Sequence, residues 1–441
     1  MCCLKASPYN KPTYDQRFIA CVGANGHYGQ DTICDGFCDA VQILVHSLIS
    51  GDGMADSLVY PILFCVRHSL ELYLKDVYNS VQFIYGAKNH RDAFVKLQKL
   101  LKIKFWVSQR LEICEDRLNT RYSDLFVPSD QITTRKNSET LKKRLKAIDI
   151  QITELSNQCF GQAEPEIYTH DLADLKKRIL SIYQIDERIP KVFDPVLPYL
   201  AHYEDIDPQG DAFRYLFSRK GKPHLEKNNI GLVNLATVGF QHEEISQILR
   251  NTQILLYHLQ KEYKTGTFTK DLSREQLDEI SKVLPKPKEF ANKIKETKEV
   301  IKAKYQIGSN KFDEALSLIK RNREFSYNIG KERVFPSLSE STLEIFGECA
   351  TGARDWEIAA EAINFNELCL LWAFSDISGW RYEEGIHAYY SEDLIDLYRR
   401  AKYEHRVTLY DVNPKVEISH VVDGMKKCGQ GTYAAMLNAY T

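Results

Sequence analysis

The chain has 441 residues, of which 44% are apolar and 27% are charged, and its formal net charge is −2. This composition is typical of a globular protein with a sizeable core, and the length predicts two or three domains. The near-neutral charge excludes a surface that is basic throughout, so nucleic acid would need a local patch. No run approaches the roughly 18 apolar residues of a membrane span, and the N-terminus has no hydrophobic signal core. We therefore expect a cytoplasmic protein without a membrane partner.

The cysteines do not predict a metal centre. Eleven are present, with irregular spacing and no CxxC pair. Cys34 and Cys38 lie one helical turn apart, but a zinc site needs about four ligands. We predict reduced, buried thiols, with no metal site and no cofactor.

The first predicted helix covers residues 35–49, DGFCDAVQILVHSLI, with its apolar residues on one face. Gly51 and Gly53 end it. A second helix follows over residues 55–78, apolar almost all round, which is the pattern of a helix packed on several sides. Pro61 is predicted to lie in its first turn.

Three charged residues form a stripe along this second helix. Arg67, Glu71 and Lys75 follow one another at intervals of four, so each can reach the next. Charges on an apolar wall are costly unless they are paired. The stripe is therefore either a self-satisfied structural ladder or the polar floor of a binding or catalytic cleft.

The clearest basic patch lies in residues 88–104, predicted as one amphipathic helix. Lys96, Lys99 and Lys102 belong to it, against a single acid, Asp92. Such a face either binds phosphate groups or is simply solvated. Residues 106–160 then read as an inserted pair of helices, with a polar break at 127–138, VPSDQITTRKNS.

Two later segments carry further polar candidates. In YTHDLADL, Thr169 is predicted to cap a helix, with Asp171 in its first turn and His170 accessible at its start. In residues 213–225, FRYLFSRKGKPHL, the turn residues predict a short β-hairpin. Arg214 lies there between two aromatic residues, a suitable setting for binding a phosphate or carboxylate.

The remaining chain is predicted to be helical. A helix over 233–263 ends the first domain, 1–265, and Ser273 with Gln276 forms a capping-box pattern that begins new structure. The second domain, 266–441, is predicted as helices interrupted by PKPKEF at 285–290. The fold class is thus mainly α: a helical bundle with a helical insertion and a short β-hairpin, plus a C-terminal helical domain.

Four segments taken together resemble an uncharacterised group of bacterial HEPN-like proteins (higher eukaryotes and prokaryotes nucleotide-binding). They are VGANGHYGQD, ADSLVYPILFCVRHSLELYLK, YTHDLADL and IDPQGDAFRYLFSRKGK, and the resemblance covers roughly residues 18–262. It implies a HEPN-like bundle, and a polar site formed by Arg67, His170 and Arg214. His68, Glu71, Lys75, Asp207 and Tyr215 would be binding residues of the same site.

Many HEPN domains are metal-independent ribonucleases of toxin–antitoxin or phage-defence systems, often with the site formed across a dimer. Their nuclease motif is an Arg followed after four to six residues by a His. Arg67 departs from this pattern, since His68 is adjacent to it. The spacing does occur at Arg219/His224, Arg381/His387 and Arg400/His405.

The resemblance leaves two functions open. One is metal-independent RNA cleavage in a bacterial defence or toxin-like system, in which His170 would move a proton and an Arg would neutralise transition-state charge. The other is a non-catalytic HEPN-like module that binds nucleotide, nucleic acid or a partner protein of such a system. A purely structural stripe is a third interpretation. Lys96, Lys99 and Lys102 would carry any RNA affinity, and a homodimer is expected from the resemblance alone.

Overall fold

The computed structural model describes residue 20 and residues 30–119, 128–161, 169–204, 230–335, 338–379, 389–403 and 409–441. These residues are mainly helical, and no β-strand occurs among them. The prediction of a mainly α protein is confirmed. The predicted β-hairpin, 213–225, lies outside the described residues.

The described residues form two compact units, each made of two stretches of chain. The first unit takes residues from within Met1–Asn79 and Ile167–Gln253, and the second from within Ser80–Glu166 and Ile254–Thr441. This division differs from the predicted boundary at residue 265. Residues 80–166, predicted to be part of the N-terminal domain, belong to the same unit as the C-terminal half.

The first unit is built from long helices and a group of short ones. They are α1 (Gln30–Ile49), the first part of α2 (Ala55–Asn89), α5 (Leu172–Ile182), α6 (Arg188–Phe193), α7 (Leu197–Glu204) and the first part of α8 (Leu235–Lys264). Tyr73 pairs with Arg250 and Asp76 pairs with Gln253, and both pairs are 177 residues apart in sequence. Helices α2 and α8 therefore run parallel. Fully buried residues of this unit include Val66, Leu70 and Ile179.

Helix α2 is longer than the sequence predicted. It begins at Ala55 and continues to Asn89, and Pro61 lies inside it rather than in its first turn. The amides of Ser57 and Leu58 donate to the carbonyl of Met54, which starts the helix one turn before the proline. The all-round apolar pattern is explained by burial: Val66, Leu70, Tyr73 and Leu74 are all at most 1% exposed.

The second unit begins with a helical hairpin. Helix α3 (Arg91–Asn119) packs along α4 (Pro128–Phe160). Lys104, early in α3, pairs with Asp149, late in α4, and Glu115, late in α3, pairs with Lys142, earlier in α4. The two helices therefore run antiparallel. The predicted helical pair is therefore present, but residues 128–138 of the predicted break are helical. Pro128 starts α4, since proline fits the first turn of a helix.

The predicted basic helix over 88–104 is also divided. α2 ends at Asn89 and α3 begins at Arg91. Only Lys88 of that basic set therefore belongs to α2. Lys96, Lys99 and Lys102 share α3.

The C-terminal part of the second unit contains two apolar clusters. The first is formed by α9 (Arg274–Val283), α10 (Phe290–Tyr305), α11 (Ser309–Arg321) and α12 (Arg323–Asn328). The second is formed by α13 (Glu340–Ala350), α14 (Trp356–Ala359), α15 (Phe365–Ile377), α16 (Leu394–Tyr403), α17 (Pro414–Lys427) and α18 (Gly431–Asn438). The predicted capping box of Ser273 and Gln276 is confirmed at the start of α9.

One helix passes a length and composition test for a membrane span. It is the stretch Thr32–Ile49 of α1, of which 22% is buried. The sequence shows no unbroken apolar run here because Asp35, Asp39 and His46 interrupt the apolar residues. Mostly buried core helices and signal sequences near an N-terminus pass the same test, so one such helix is weak evidence of a membrane span.

Candidate functional site

Glu71 is the centre of the charged stripe on α2. Its Oε2 accepts a hydrogen bond from Arg67 Nη1 at 3.1 Å, and its Oε1 accepts one from Lys75 Nζ at 2.7 Å. Each partner lies one helical turn away, which is why the spacing of four brings them together. The predicted ladder of Arg67, Glu71 and Lys75 is confirmed.

The ladder is buried at one end and open at the other. The side chains of Arg67 and Glu71 are each 3% exposed, whereas that of Lys75 is 18% exposed. Burial alone would raise the pKa of Glu71, but the hydrogen bonds from Lys75 and His170 and the charges of Lys75 and Arg67 lower it below its ordinary value. Glu71 is therefore an ionised carboxylate at neutral pH.

His170 lies in the short segment that leads into α5. Asp171 caps this helix, since its Oδ1 accepts from the amides of Ala173 and Asp174 at 2.9 and 3.3 Å. The prediction of Thr169 as the cap is wrong: its Oγ1 accepts from the amide of Asp171 at 3.2 Å instead. Because Asp171 is the last residue before the helix, His170 projects from the turn rather than from a helical face.

The stripe holds both the ring and the backbone of His170. Nδ1 of the ring lies 2.7 Å from Glu71 Oε1. Arg67 Nη2 donates to the backbone carbonyl of His170. The predicted proximity of His170 to the ladder is therefore confirmed, although 99 residues separate it from Glu71.

The pairing with Glu71 fixes which nitrogen of His170 can react. The ionised carboxylate can only accept, so Nδ1 must carry a hydrogen. In the neutral ring Nε2 is then the basic nitrogen. The His170 side chain is 57% exposed. A buried carboxylate that orients an accessible imidazole in this way is the arrangement used in acid–base catalysis.

The remaining predicted site residues are placed differently. His68 packs between aromatic rings, with centroid distances of 4.6 Å to Phe37 and 5.6 Å to Phe64. Asp207, Arg214 and Tyr215 lie outside the described residues. So do the histidines of the three Arg/His spacings: His224, His387 and His405.

The three lysines of the basic patch differ in their surroundings. Lys102 Nζ lies 2.5 Å from Asp396 Oδ2. Lys96 and Lys99 are exposed, and neither forms an ion pair with another described residue. Of the three lysines of the basic patch, Lys96 and Lys99 are therefore the two whose charge is not paired with another described residue.

A second polar cluster of the first unit was not predicted. His242 of α8 is fully buried, and its Nε2 lies 2.9 Å from Ser69 Oγ. Ser69 Oγ donates to the carbonyl of Val66 at 2.8 Å, so His242 Nε2 is the donor to Ser69. Burial and the charge of Arg250 lower the pKa of His242 to about 4. The spacing of His242, Ser246 and Arg250 on α8 is the sequence signal that could have suggested it.

Comparison with protein-family models, with curated proteins and with solved structures found no match. Within the described ranges, no group of three or more His, Cys, Asp or Glu side chains is arranged to hold a metal ion. The chemistry of the site therefore rests on the contacts of Arg67, Glu71, Lys75 and His170.

Proposed function

We propose that this protein is a metal-independent endoribonuclease of the HEPN-like type, in which His170 is the general acid–base. One observation carries the proposal. Glu71 holds Nδ1 of His170 at 2.7 Å while the ring itself is 57% exposed. The ring is thus fixed in orientation, and its Nε2 can reach a substrate.

In this mechanism Nε2 of His170 removes the proton of a ribose 2′-hydroxyl. The 2′-oxygen attacks the adjacent phosphorus, and the bond from phosphorus to the 5′-oxygen breaks. The products are a 2′,3′-cyclic phosphate and a 5′-hydroxyl, whose proton comes from an acid or from water. Proton transfer by a positioned histidine contributes about 10²–10⁴-fold to such rates.

Arg67 has a positioning role in this proposal. Both of its terminal nitrogens bond within the site, Nη1 to Glu71 and Nη2 to the carbonyl of His170. A guanidinium held in this way fixes the residue that carries the reacting ring. Lys75 is the more exposed cation of the ladder and adds positive charge beside it. The sequence predicted Arg67 as the group that neutralises transition-state charge, and here Arg67 has the positioning role instead. Arg214, the second predicted arginine of the site, lies outside the described residues.

The biological setting rests on the resemblance. The four segments that resemble the bacterial HEPN-like group favour a defence or toxin-like system, with RNA as substrate and a homodimer or a partner protein as the assembly. One of these segments supplies Arg67 and Glu71 and another supplies His170, and these residues are in contact. That contact supports the view that the segments belong to one site.

The non-catalytic module is the second candidate. It is favoured by the mutual pairing of Arg67 and Glu71, whose side chains are almost completely buried. In this case the ladder would anchor the start of α5 to α2, and His170 would contact a bound nucleotide, nucleic acid or protein without moving a proton.

The test is RNA cleavage in EDTA by wild type and by His170→Asn. Asparagine keeps an N–H donor for Glu71 but has no basic nitrogen. The matched control is His202→Asn, which changes an exposed histidine of α7 in the same unit. We expect His170→Asn to lose about 100-fold or more in rate and His202→Asn to cleave like wild type, with equal melting temperatures. Equal cleavage by His170→Asn would contradict the proposal. RNA binding without cleavage by wild type would favour the second candidate.

A further inference from the structure

A cleft in the second unit lies between α3 and the stretch Tyr389–Arg400. Its volume is about 340 Å³, which falls within the range of small-molecule sites. Gln98, Lys102 and Phe105 of α3 line one side at intervals of three and four residues, so they share one helical face. Both sides of the cleft belong to the same compact unit.

The cleft has an aromatic part. Phe105, Trp106 and Tyr389 line it. The ring centroids of Phe105 and Trp106 are 4.9 Å apart, and Trp106 also packs on Tyr403 at 5.3 Å. Phe105 is nevertheless 44% exposed. An exposed phenylalanine at the mouth of a pocket provides contact area for an apolar group of a ligand.

The cleft carries charges of both signs. Lys102 and Arg400 are its cations, and Asp393 and Asp396 are its anions. Their formal charges cancel, and Lys102 is already paired with Asp396 at 2.5 Å. A ligand would therefore meet one further charge of each sign, Asp393 and Arg400. A polyphosphate or another polyanion would therefore gain no net attraction here, and neither would a simple cation. A ligand that carries one charge of each sign matches this lining.

The carboxylate of Asp393 can accept further hydrogen bonds. One of its oxygens, Oδ2, accepts from the amide of Tyr390 at 2.9 Å. A carboxylate has about four acceptor positions, so this bond leaves others for a ligand. Burial raises the pKa of Asp393, and the acids Glu392 and Asp396 add to the increase, while the Tyr390 amide and Lys102 oppose it. A ligand cation would relieve this unfavourable setting.

We infer that this cleft binds a zwitterionic α-amino acid with a large apolar side chain. The ligand's ammonium group contacts Asp393, and its carboxylate contacts Arg400. Its side chain packs on Phe105 and Trp106. This site is distinct from the His170 site, and the inference does not depend on ribonuclease activity.

The test is isothermal titration calorimetry of the full chain with L-phenylalanine, L-tryptophan and L-leucine. Two truncated ligands separate the charges: phenethylamine lacks the carboxylate, and 3-phenylpropanoate lacks the ammonium group. We expect at least one amino acid to bind with a Kd below about 1 mM. Each of the two truncated ligands should bind at least tenfold more weakly than L-phenylalanine.

Two variants assign the contacts. Asp393→Asn keeps an acceptor for the Tyr390 amide but removes the charge. It should weaken the binding of L-phenylalanine at least tenfold and leave the affinity for 3-phenylpropanoate unchanged. Arg400→Gln should weaken the binding of L-phenylalanine to a similar extent and leave the affinity for phenethylamine unchanged. The control is Arg110→Gln, which changes an exposed arginine of α3 outside the cleft. Melting curves check that all three variants fold.

Three results would overturn the inference. The first is no amino acid binding up to about 10 mM, well above the expected range. The second is equal affinity for the truncated ligands and L-phenylalanine, which would show that the ammonium and carboxylate groups of the amino acid do not contribute to binding. The third is tighter binding of a nucleoside monophosphate than of any amino acid.

Discussion

At the scale of single residues, Glu71 is the group on which the site depends. It accepts hydrogen bonds from Arg67 and Lys75 and holds the ring of His170. The Arg67–Glu71–Lys75 contacts were predictable because they are local to one helix. The contact with His170 was suggested by the resemblance alone, because helical spacing says nothing about residues 99 positions apart.

Arg67→Ala should strongly destabilise the first unit. It leaves Glu71 buried with one cation fewer and removes the donor to the His170 carbonyl, and breaking such a buried pair costs about 3–5 kcal/mol. Lys75→Ala is the comparison, because Lys75 is the more exposed partner, and should cost less than Arg67→Ala. Urea unfolding of both variants checks this, and equal losses would show that Arg67 is not the buried anchor.

His242 should make the stability of the protein depend on pH. Its pKa falls from an ordinary 6.5 to about 4 in the folded state. Between these values the unfolded chain binds a proton that the folded chain does not, so stability is full above 6.5 and falls as the pH drops. From about pH 7 to about pH 5 the loss is about 2 kcal/mol.

His242→Gln removes this titration but keeps a donor for Ser69. The free energy of unfolding of the variant should therefore change less than that of wild type over the same pH range. The comparison concerns the change with pH and not the absolute stability. Parallel pH profiles for the two proteins would contradict the account of a neutral buried imidazole.

At the scale of elements, long helices give the molecule its scaffold, and their interiors were easier to predict than their ends. Residues 35–49 and 55–78 were predicted as helix and are helical, and of the predicted helix 233–263 residues 235–263 are helical. The start of α4 was missed because VPSDQITTRKNS is polar and reads as a loop. Proline in the first turn and packing against α3 favour helix there instead. Polarity alone does not distinguish an exposed helical face from a turn.

The close approach of α15 and α17 depends on Gly424. A Cβ at this position would lie 1.8 Å from the carbonyl oxygen of Phe374. Gly424→Ala should therefore push α17 away from α15 and cost at least about 2 kcal/mol by overpacking. We expect faster hydrogen exchange at the amides of α17.

Gly36→Ala is the matched control, since a Cβ there would meet no atom within 4 Å. Alanine is the better helix former by about 0.5–1 kcal/mol. Exchange in α1 should therefore slow or stay the same. If both variants behave alike, the close contact at Gly424 does not constrain the helices.

At the scale of the whole molecule, the chain forms two units, and each combines distant stretches of sequence. The sequence placed a single boundary near residue 265, where the capping box of α9 begins. That local signal is real, but it marks the start of a helix and not the edge of a unit. Membership of a unit is set by long-range packing, which helical periodicity does not reveal.

RNA binding should depend on α3 through Lys96 and Lys99. Changing both to Gln removes about two phosphate contacts and should reduce the slope of log K against log salt by about 1–1.5 for single-stranded RNA. Lys102→Gln should have a smaller effect, because Lys102 is paired with Asp396. The matched control is the pair Lys143→Gln and Lys146→Gln, exposed on α4 with the same spacing. An unchanged slope for the Lys96/Lys99 variant would exclude this surface.

We propose that His170, held by Glu71, activates a ribose 2′-hydroxyl without a metal ion. The most direct measurement uses a DNA strand that contains one ribonucleotide, incubated with the full chain in EDTA. We predict a single cut on the 3′ side of that ribonucleotide, a 2′,3′-cyclic phosphate on the product, and loss of the cut with His170→Asn. Cleavage of the all-DNA strand, or an uncut chimeric strand under conditions where the protein binds it, would contradict the claim.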